Sequence, residues 1–132
     1  ARALVGTATV VVMAGTATTV DTLDADGNFL GGIIMPGVGL MLRSLAHGTA
    51  ALPFAEGDYA TYPRCTDDAI VTGVIEAQTG AIERIFSRLA DPAADCLLSG
   101  GYAEQLARHL VIRHRLTHNL PLEGLRHLAL ET

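Results

Sequence analysis

An α/β domain that opens with a β-meander is the fold the sequence predicts. Three β-rich apolar runs follow one another between Thr9 and Met35, joined by short turns. A long segment from Thr66 to about Leu89 carries apolar residues at helical spacing. Around Ser99-Gly100-Gly101 the order becomes strand, glycine turn, helix. With 132 residues and 49% apolar composition, the chain can fill one hydrophobic core, so residues 1–132 are expected to form a single domain.

Taken in order, the first strand is expected from about Thr9 to Met13, ending at Gly15, and the second from Thr18 to Leu23. Asp24-Ala25-Asp26-Gly27-Asn28 supplies the acidic, Gly and Asn chemistry of a hairpin turn into a third strand, Phe29 to Met35. Pro36-Gly37 stops that strand. Val38, Leu40, Met41, Leu42, Leu45 and Ala46 then favour a helix ending near Gly48. Thr49 to Arg64, rich in Pro, Gly and Tyr, reads as a loop. Thr66-Asp67-Asp68 has the hydroxyl and carboxylates of a helix start, with Thr66 as N-cap. In the long helix that follows, Ile70, Val74, Ala77, Ala81, Ile85 and Leu89 form the expected core face, and Gly73 with Gly80 permits close approach of another helix. Cys96-Leu97-Leu98 is a short buried strand, Tyr102 to His109 a helix, Val111 to Leu116 a final strand, and Leu120 to Leu125 the start of a closing helix.

Composition excludes several function classes. The formal net charge of -5 argues against a nucleic-acid partner, because a phosphate backbone requires a basic face. Every basic residue is an arginine, so a Walker-type phosphate loop and Schiff-base chemistry are both excluded for this segment. The apolar stretch from Leu30 to Leu42 is broken by Gly31, Gly32, Pro36, Gly37 and Gly39, and cannot form the roughly 20-residue helix a bilayer needs. Cys65 and Cys96 lie far apart and outside any CxxC spacing, which fits free thiols in a reducing compartment and a cytoplasmic location. The chain starts Ala1-Arg2 and enters a strand signal within a few residues, with no signal-peptide pattern ahead of it, so it reads as an excerpt of a longer chain.

Two turns carry the chemistry. After Val10-Val11-Val12-Met13-Ala14, the glycine at Gly15 allows a tight bend and close backbone approach to a ligand. Thr16, Thr18 and Thr19 add hydroxyls and neighbouring N–H groups able to hold phosphate oxygens, with positive charge expected from a bound metal ion. Ser99-Gly100-Gly101 is the second: placed between a strand and a helix, its glycines let a ligand lie against the backbone, facing a helix N-terminus. Either turn alone also reads as a plain connection. His109, His114 and His118 crowd with Arg108, Arg113 and Arg115, but their spacing on a strand suits a solvated or packed patch better than a metal site. His47 and His127 read as helix-end residues. No Ser-His-Asp constellation, Gly-x-Ser-x-Gly or Cys-His pair is present.

In chain order, Ala14-Gly15-Thr16-Ala17-Thr18-Thr19-Val20-Asp21, Gly31-Gly32-Ile33-Ile34-Met35-Pro36-Gly37, Leu52-Pro53, Thr66-Asp67-Asp68-Ala69-Ile70, Ser99-Gly100-Gly101 and Leu122-Glu123-Gly124-Leu125 resemble the C-terminal half of type III pantothenate kinases. The resemblance runs nearly end to end. It implies a ribonuclease-H-like domain of the sugar kinase and actin-like ATPase superfamily, a mixed sheet with helices packed on it. A second such half, absent from this chain, would lie across the ATP. The implied function is ATP-dependent phosphorylation of pantothenate to 4'-phosphopantothenate, the first step of coenzyme A biosynthesis. By the same resemblance, Gly15, Thr16, Ala17 and Thr18 form the second phosphate motif and Gly100 with Gly101 the adenosine-side turn. Thr66 reaches pantothenate bound mainly by a neighbouring subunit, which implies a homodimer.

The implied cofactors are ATP with Mg²⁺, and in the family K⁺ or NH4⁺. Met13 stands where relatives commonly carry an Asp for that monovalent cation, and a thioether is a poor ligand for it. The first phosphate motif, Asp-x-Gly-Asn-Thr, and the Gly-x-Asp-Arg segment holding the general base would both lie upstream of Ala1, so no catalytic residue is assigned within this chain and the isolated piece is expected to be inactive. Two other readings stay open: a non-catalytic nucleotide-binding or regulatory protein that kept the fold, and a dimerisation scaffold using the Gly73/Gly80 helix.

Overall fold

A computed structural model describes residues 7–48 and 56–117. Three strands form the predicted meander: β1 (Thr9–Ala14), β2 (Ala17–Leu23) and β3 (Phe29–Pro36). Helix α1 (Val38–Gly48) follows directly, and the long helix α2 (Thr66–Ser87) leads to β4 (Asp95–Ser99), the short α3 (Ala103–Ala107) and β5 (Arg115–Leu116). The five strands make one mixed sheet in the order β3-β2-β1-β4-β5. β1 pairs antiparallel with β2 and parallel with β4, and β4 pairs parallel with β5.

The turn at residues 24–28 works through its first residue. One Asp24 carboxylate oxygen accepts the N–H groups of Asp26 at 2.9 Å and Asn28 at 2.8 Å, while Gly27 takes φ 87°, where a side chain would be strained. This Asx-type turn delivers Phe29 back beside Leu23. As the edge strand, β3 leaves Phe29, Leu30 and Ile34 exposed.

Period-two alternation assigns the two sheet faces. Val10, Val12, Ala14, Val20, Cys96 and Leu98 point to the main core, where they meet Val38 of α1, Val74, Ile75 and Ile82 of α2, and Ala103 and Leu106 of α3. Each fully buried Ile or Leu here contributes about 1.5–3 kcal/mol. Val11, Met13, Leu23 and Leu97 form a smaller cluster on the other face. All five residues of β4 are buried, as its continuous apolar run suggested.

Several expectations are corrected. Cys65 is the N-cap of α2: its backbone is extended, and its carbonyl accepts the Ala69 N–H at 2.9 Å. Thr66 is therefore the first helical residue. The preceding loop is pinned to the helix instead by Asp68, whose carboxylate accepts the Asp58 N–H, and by Thr72, whose hydroxyl accepts the Ala60 N–H. The buried face of α2 is Thr72, Val74, Ile75, Gln78, Thr79 and Ile82, rotated from the expected one, and Ala77 is exposed. The reason is that polar residues are accommodated in the core: the Thr79 hydroxyl donates to the Ile75 carbonyl at 2.8 Å, and Gln78 Nε2 to the Pro36 carbonyl at 2.8 Å. The helix expected from Tyr102 to His109 contracts to α3, and of the strand expected from Val111 only Arg115–Leu116 pairs. The closing helix, Leu52-Pro53 and His127 lie outside the described residues.

Candidate functional site

The site is built where strands end. β1 and β4 run parallel with Met13 beside Ser99, so the bends that follow them leave the sheet at the same edge. β2 continues antiparallel on the other side of β1, which makes this edge a point where connections diverge and a crevice opens.

Ala14 joins the two bends. Its carbonyl accepts the Tyr102 N–H at 3.1 Å, and Gly100, at φ +111°, lies so close that a Cβ would sit 2.5 Å from the Ala14 oxygen and 2.7 Å from its carbonyl carbon. Only glycine fits there. Immediately after Ala14, the Gly15 N–H donates to the Ala17 carbonyl at 3.1 Å, closing the turn into β2. The bends at Gly15 and Gly100 are thus separated by a single residue.

The first turn of α1 completes the wall. The Gly37 N–H donates to the Thr16 carbonyl at 2.9 Å, and a Cβ on Gly37 would collide with the carbonyls of Gly15 and Thr16. Gly15 differs from Gly37 and Gly100: a Cβ there would find its nearest heavy atom at 3.8 Å, ordinary contact. No packing among the described residues demands glycine at 15. Thr16 and Ala17 are exposed, and the Thr16 hydroxyl makes no hydrogen bond among the described residues. The arrangement offers a free hydroxyl and a bare backbone, beside a helix start, on an open surface; that set suits phosphate oxygens.

Thr18 does not belong to this surface. Strand alternation turns it inward with Ala14 and Val20, and its hydroxyl is fully buried without a hydrogen-bond partner. The Thr18 hydroxyl, expected among the phosphate contacts, thus lies in the core and not on this exposed surface. Gly101 lies beside Gly100 with open space where a Cβ would be. Thr66 is exposed elsewhere, lining a groove of about 530 Å³ between α1 and α2 with Met41, Ser44, Leu45, Ile70 and Gly73. Sequence reasoning missed Gly37. The available signal was a glycine opening a helix, where it lowers helix propensity and needs another reason.

Other chemistry-bearing residues have structural roles. Asp95 binds Arg115 at 2.8 Å, and Arg113 donates to the carbonyls of Ala93 and Ala94, so the arginines after α3 tie β5 to β4. The His114 ring nitrogen lies 2.8 Å from the Ile112 carbonyl, and the His109 ring stacks on Tyr59 at 4.1 Å. Burial, with the Asp95 charge adding to it, pushes the Cys96 thiol up to about 12, which removes it as a nucleophile near neutral pH. Cys65 is exposed and free. Met13 packs against Leu23 and Leu97, so the residues at that position do not fit a monovalent-cation site. Among the described residues no helix is long and apolar enough to cross a membrane.

Comparison with known proteins places the chain in a family. The sequence profile described as type III pantothenate kinase matches residues 1–88. A type III pantothenate kinase from Dechloromonas aromatica (strain RCB) is 86% identical over 132 residues, covering 100% of this chain and 56% of the relative. One from Aromatoleum aromaticum (strain DSM 19018 / LMG 30748 / EbN1) is 58% identical, covering 99% of this chain and 54% of the relative. Among solved structures, a Baf family protein from Campylobacter jejuni superposes with a TM-score of 0.65 at 26% identity, over 94% of this chain and 58% of that one. The chain spans about half the length of the curated relatives it matches. The matching family model and these close relatives lead to one conclusion: the chain belongs to the type III pantothenate kinase family.

Proposed function

We propose that the complete protein transfers the γ-phosphoryl group of ATP to the primary hydroxyl of pantothenate, and that this chain is the C-terminal, ribonuclease-H-like half of the enzyme. The observation that carries the reading is the contact of Gly100 with Ala14, one residue from the Gly15 turn, which makes both bends parts of a single wall. The strand order β3-β2-β1-β4-β5 supports the fold assignment. In the reaction the pantothenate oxygen attacks the γ-phosphorus, the bond to the bridging β–γ oxygen breaks, and ADP leaves. The hydroxyl proton passes to a carboxylate of the upstream half. Catalysis of this kind is positioning and charge neutralisation. The Thr16 hydroxyl and the Thr16 backbone N–H would hold phosphate oxygens approaching over Gly15, while Gly100 and Gly101 would carry the nucleoside. Mg²⁺ would arrive with the nucleotide, held by its phosphate oxygens. A cytoplasmic location follows from the substrates.

With the upstream half in place, ATP, Mg²⁺ and pantothenate are expected to yield phosphopantothenate and ADP in equal amounts, measured by coupled assay and mass spectrometry. ATP binding without product under varied monovalent cations would select the non-catalytic reading, which Met13 favours. The 132-residue chain alone is expected to show no turnover, because half a cleft cannot hold both reactants.

Thr66 supports the homodimer. It is exposed and lines the α1–α2 groove, and the exposed Gly73 in the same groove leaves open space where a neighbouring helix would rest. On this reading Gly73→Leu leaves the melting temperature of the fold unchanged but converts the complete protein to monomers by light scattering; a dimer that survives the substitution contradicts this placement of the interface.

A further inference from the structure

One cation beside the wall has no side-chain partner among the described residues. In α1 the Arg43 side chain runs back toward the helix start, as long helical side chains do, and brings its guanidinium over Gly39. A Cβ on Gly39 would lie 3.3 Å from Arg43 Nη1 and 2.6 Å from the Tyr102 hydroxyl oxygen, so these two groups are within about 6 Å of each other over the bare helix backbone. Among the described residues, neither Arg43 nor the Tyr102 hydroxyl makes a side-chain hydrogen bond, and Arg43 makes no ion pair.

The electrostatics of this placement are unfavourable as they stand. A helix start carries partial positive charge, and acidic residues in the first turn normally offset it. α1 has none, and Arg43 adds a full positive charge at the same end. The chain as a whole has a net charge of -5, so this concentration of positive charge runs against its composition. An anion bound by the exposed Arg43 guanidinium and the Tyr102 hydroxyl removes the conflict. Gly37, two residues earlier, touches Gly15 and Thr16, and Tyr102 is two residues past Gly100, so that anion would lie on the wall already described.

We propose that Arg43 is a polyphosphate-binding residue of this site and that the Tyr102 hydroxyl donates to the same anion. The inference rests on the nucleotide reading of the wall and supplies what the threonine-rich turn lacks, a fixed positive charge. A guanidinium holds phosphate oxygens through directed, charge-assisted hydrogen bonds, and Gly39, lacking a Cβ, lets the Tyr102 hydroxyl come in close to the helix beside it.

The experiment is a calorimetric titration of the complete protein with ATP plus Mg²⁺, with inorganic tripolyphosphate, and with adenosine. Arg43→Gln is expected to weaken ATP and tripolyphosphate binding about tenfold or more and to leave adenosine binding unchanged. Arg43→Lys restores part of the loss, and Tyr102→Phe weakens ATP binding about threefold. Arg43 is exposed, so the fold should be unaffected, as a matched melting temperature would verify. ATP affinity within twofold of wild type in Arg43→Gln, while Gly15→Val abolishes binding, overturns the inference and leaves the nucleotide reading standing. A wild-type protein that binds no ATP overturns both.

Discussion

Gly100→Ala is expected to destabilise the fold by about 3 kcal/mol and to abolish nucleotide binding with it. Two costs add. At φ +111° an L side chain is strained, and the added carbon would press on the carbonyl of Ala14, which belongs to the central strand and cannot yield. Relief requires β1 and the Gly100 bend to separate, breaking the Tyr102 N–H bond to Ala14. Chemical denaturation of the wild-type and variant complete proteins measures the loss. A change below 1 kcal/mol would mean that the close approach of the two bends does not exist.

Gly15→Val is expected to do the opposite, sparing stability while removing activity. The nearest heavy atom to an added Cβ is 3.8 Å away, and Gly15 does not occupy the left-handed backbone region, so the melting temperature should hold within about 2 °C. Its side chain would fill the space a phosphate needs against the backbone, and phosphorylation of pantothenate should fall by about a hundredfold or more, with the larger part in the Michaelis constant for ATP. A folded variant with full activity would remove Gly15 from the site. The contrast between the two glycines is the informative result: one is required by the chain's own packing, the other by what lies outside it.

Much of the fold was legible because local and tertiary demands agree. The meander follows from alternating β-branched residues around an Asx-type turn at Asp24, and α1 begins where Pro36-Gly37 stops β3. Legibility failed where polar groups enter the core. Gln78, Thr72 and Thr79 look like a solvent face by composition but are buried, three of the reasons the face of α2 was rotated. Val111 looked like strand and is 86% exposed, because the arginines beyond it, rather than apolar packing, fasten β5.

The site was legible as two separate turns and not as one surface. Gly15 and Gly100 announce themselves by glycine placement, yet only the parallel register of β1 with β4 brings them together. The burial of Thr18 is not legible because its hydroxyl chemistry is visible in the sequence and strand alternation past the turn is not. The closeness of Gly37 to Gly15 and Thr16, and the proposed part of Arg43, are not legible because these residues lie in what is, by sequence, simply the opening of a helix.

Hydrogen exchange of the complete protein with and without a non-hydrolysable ATP analogue and Mg²⁺ tests the shared wall most directly. The account predicts that the amides of residues 14–17 and of residues 100–102 gain protection together, at the same analogue concentration. Protection at one of these bends with none at the other would contradict it.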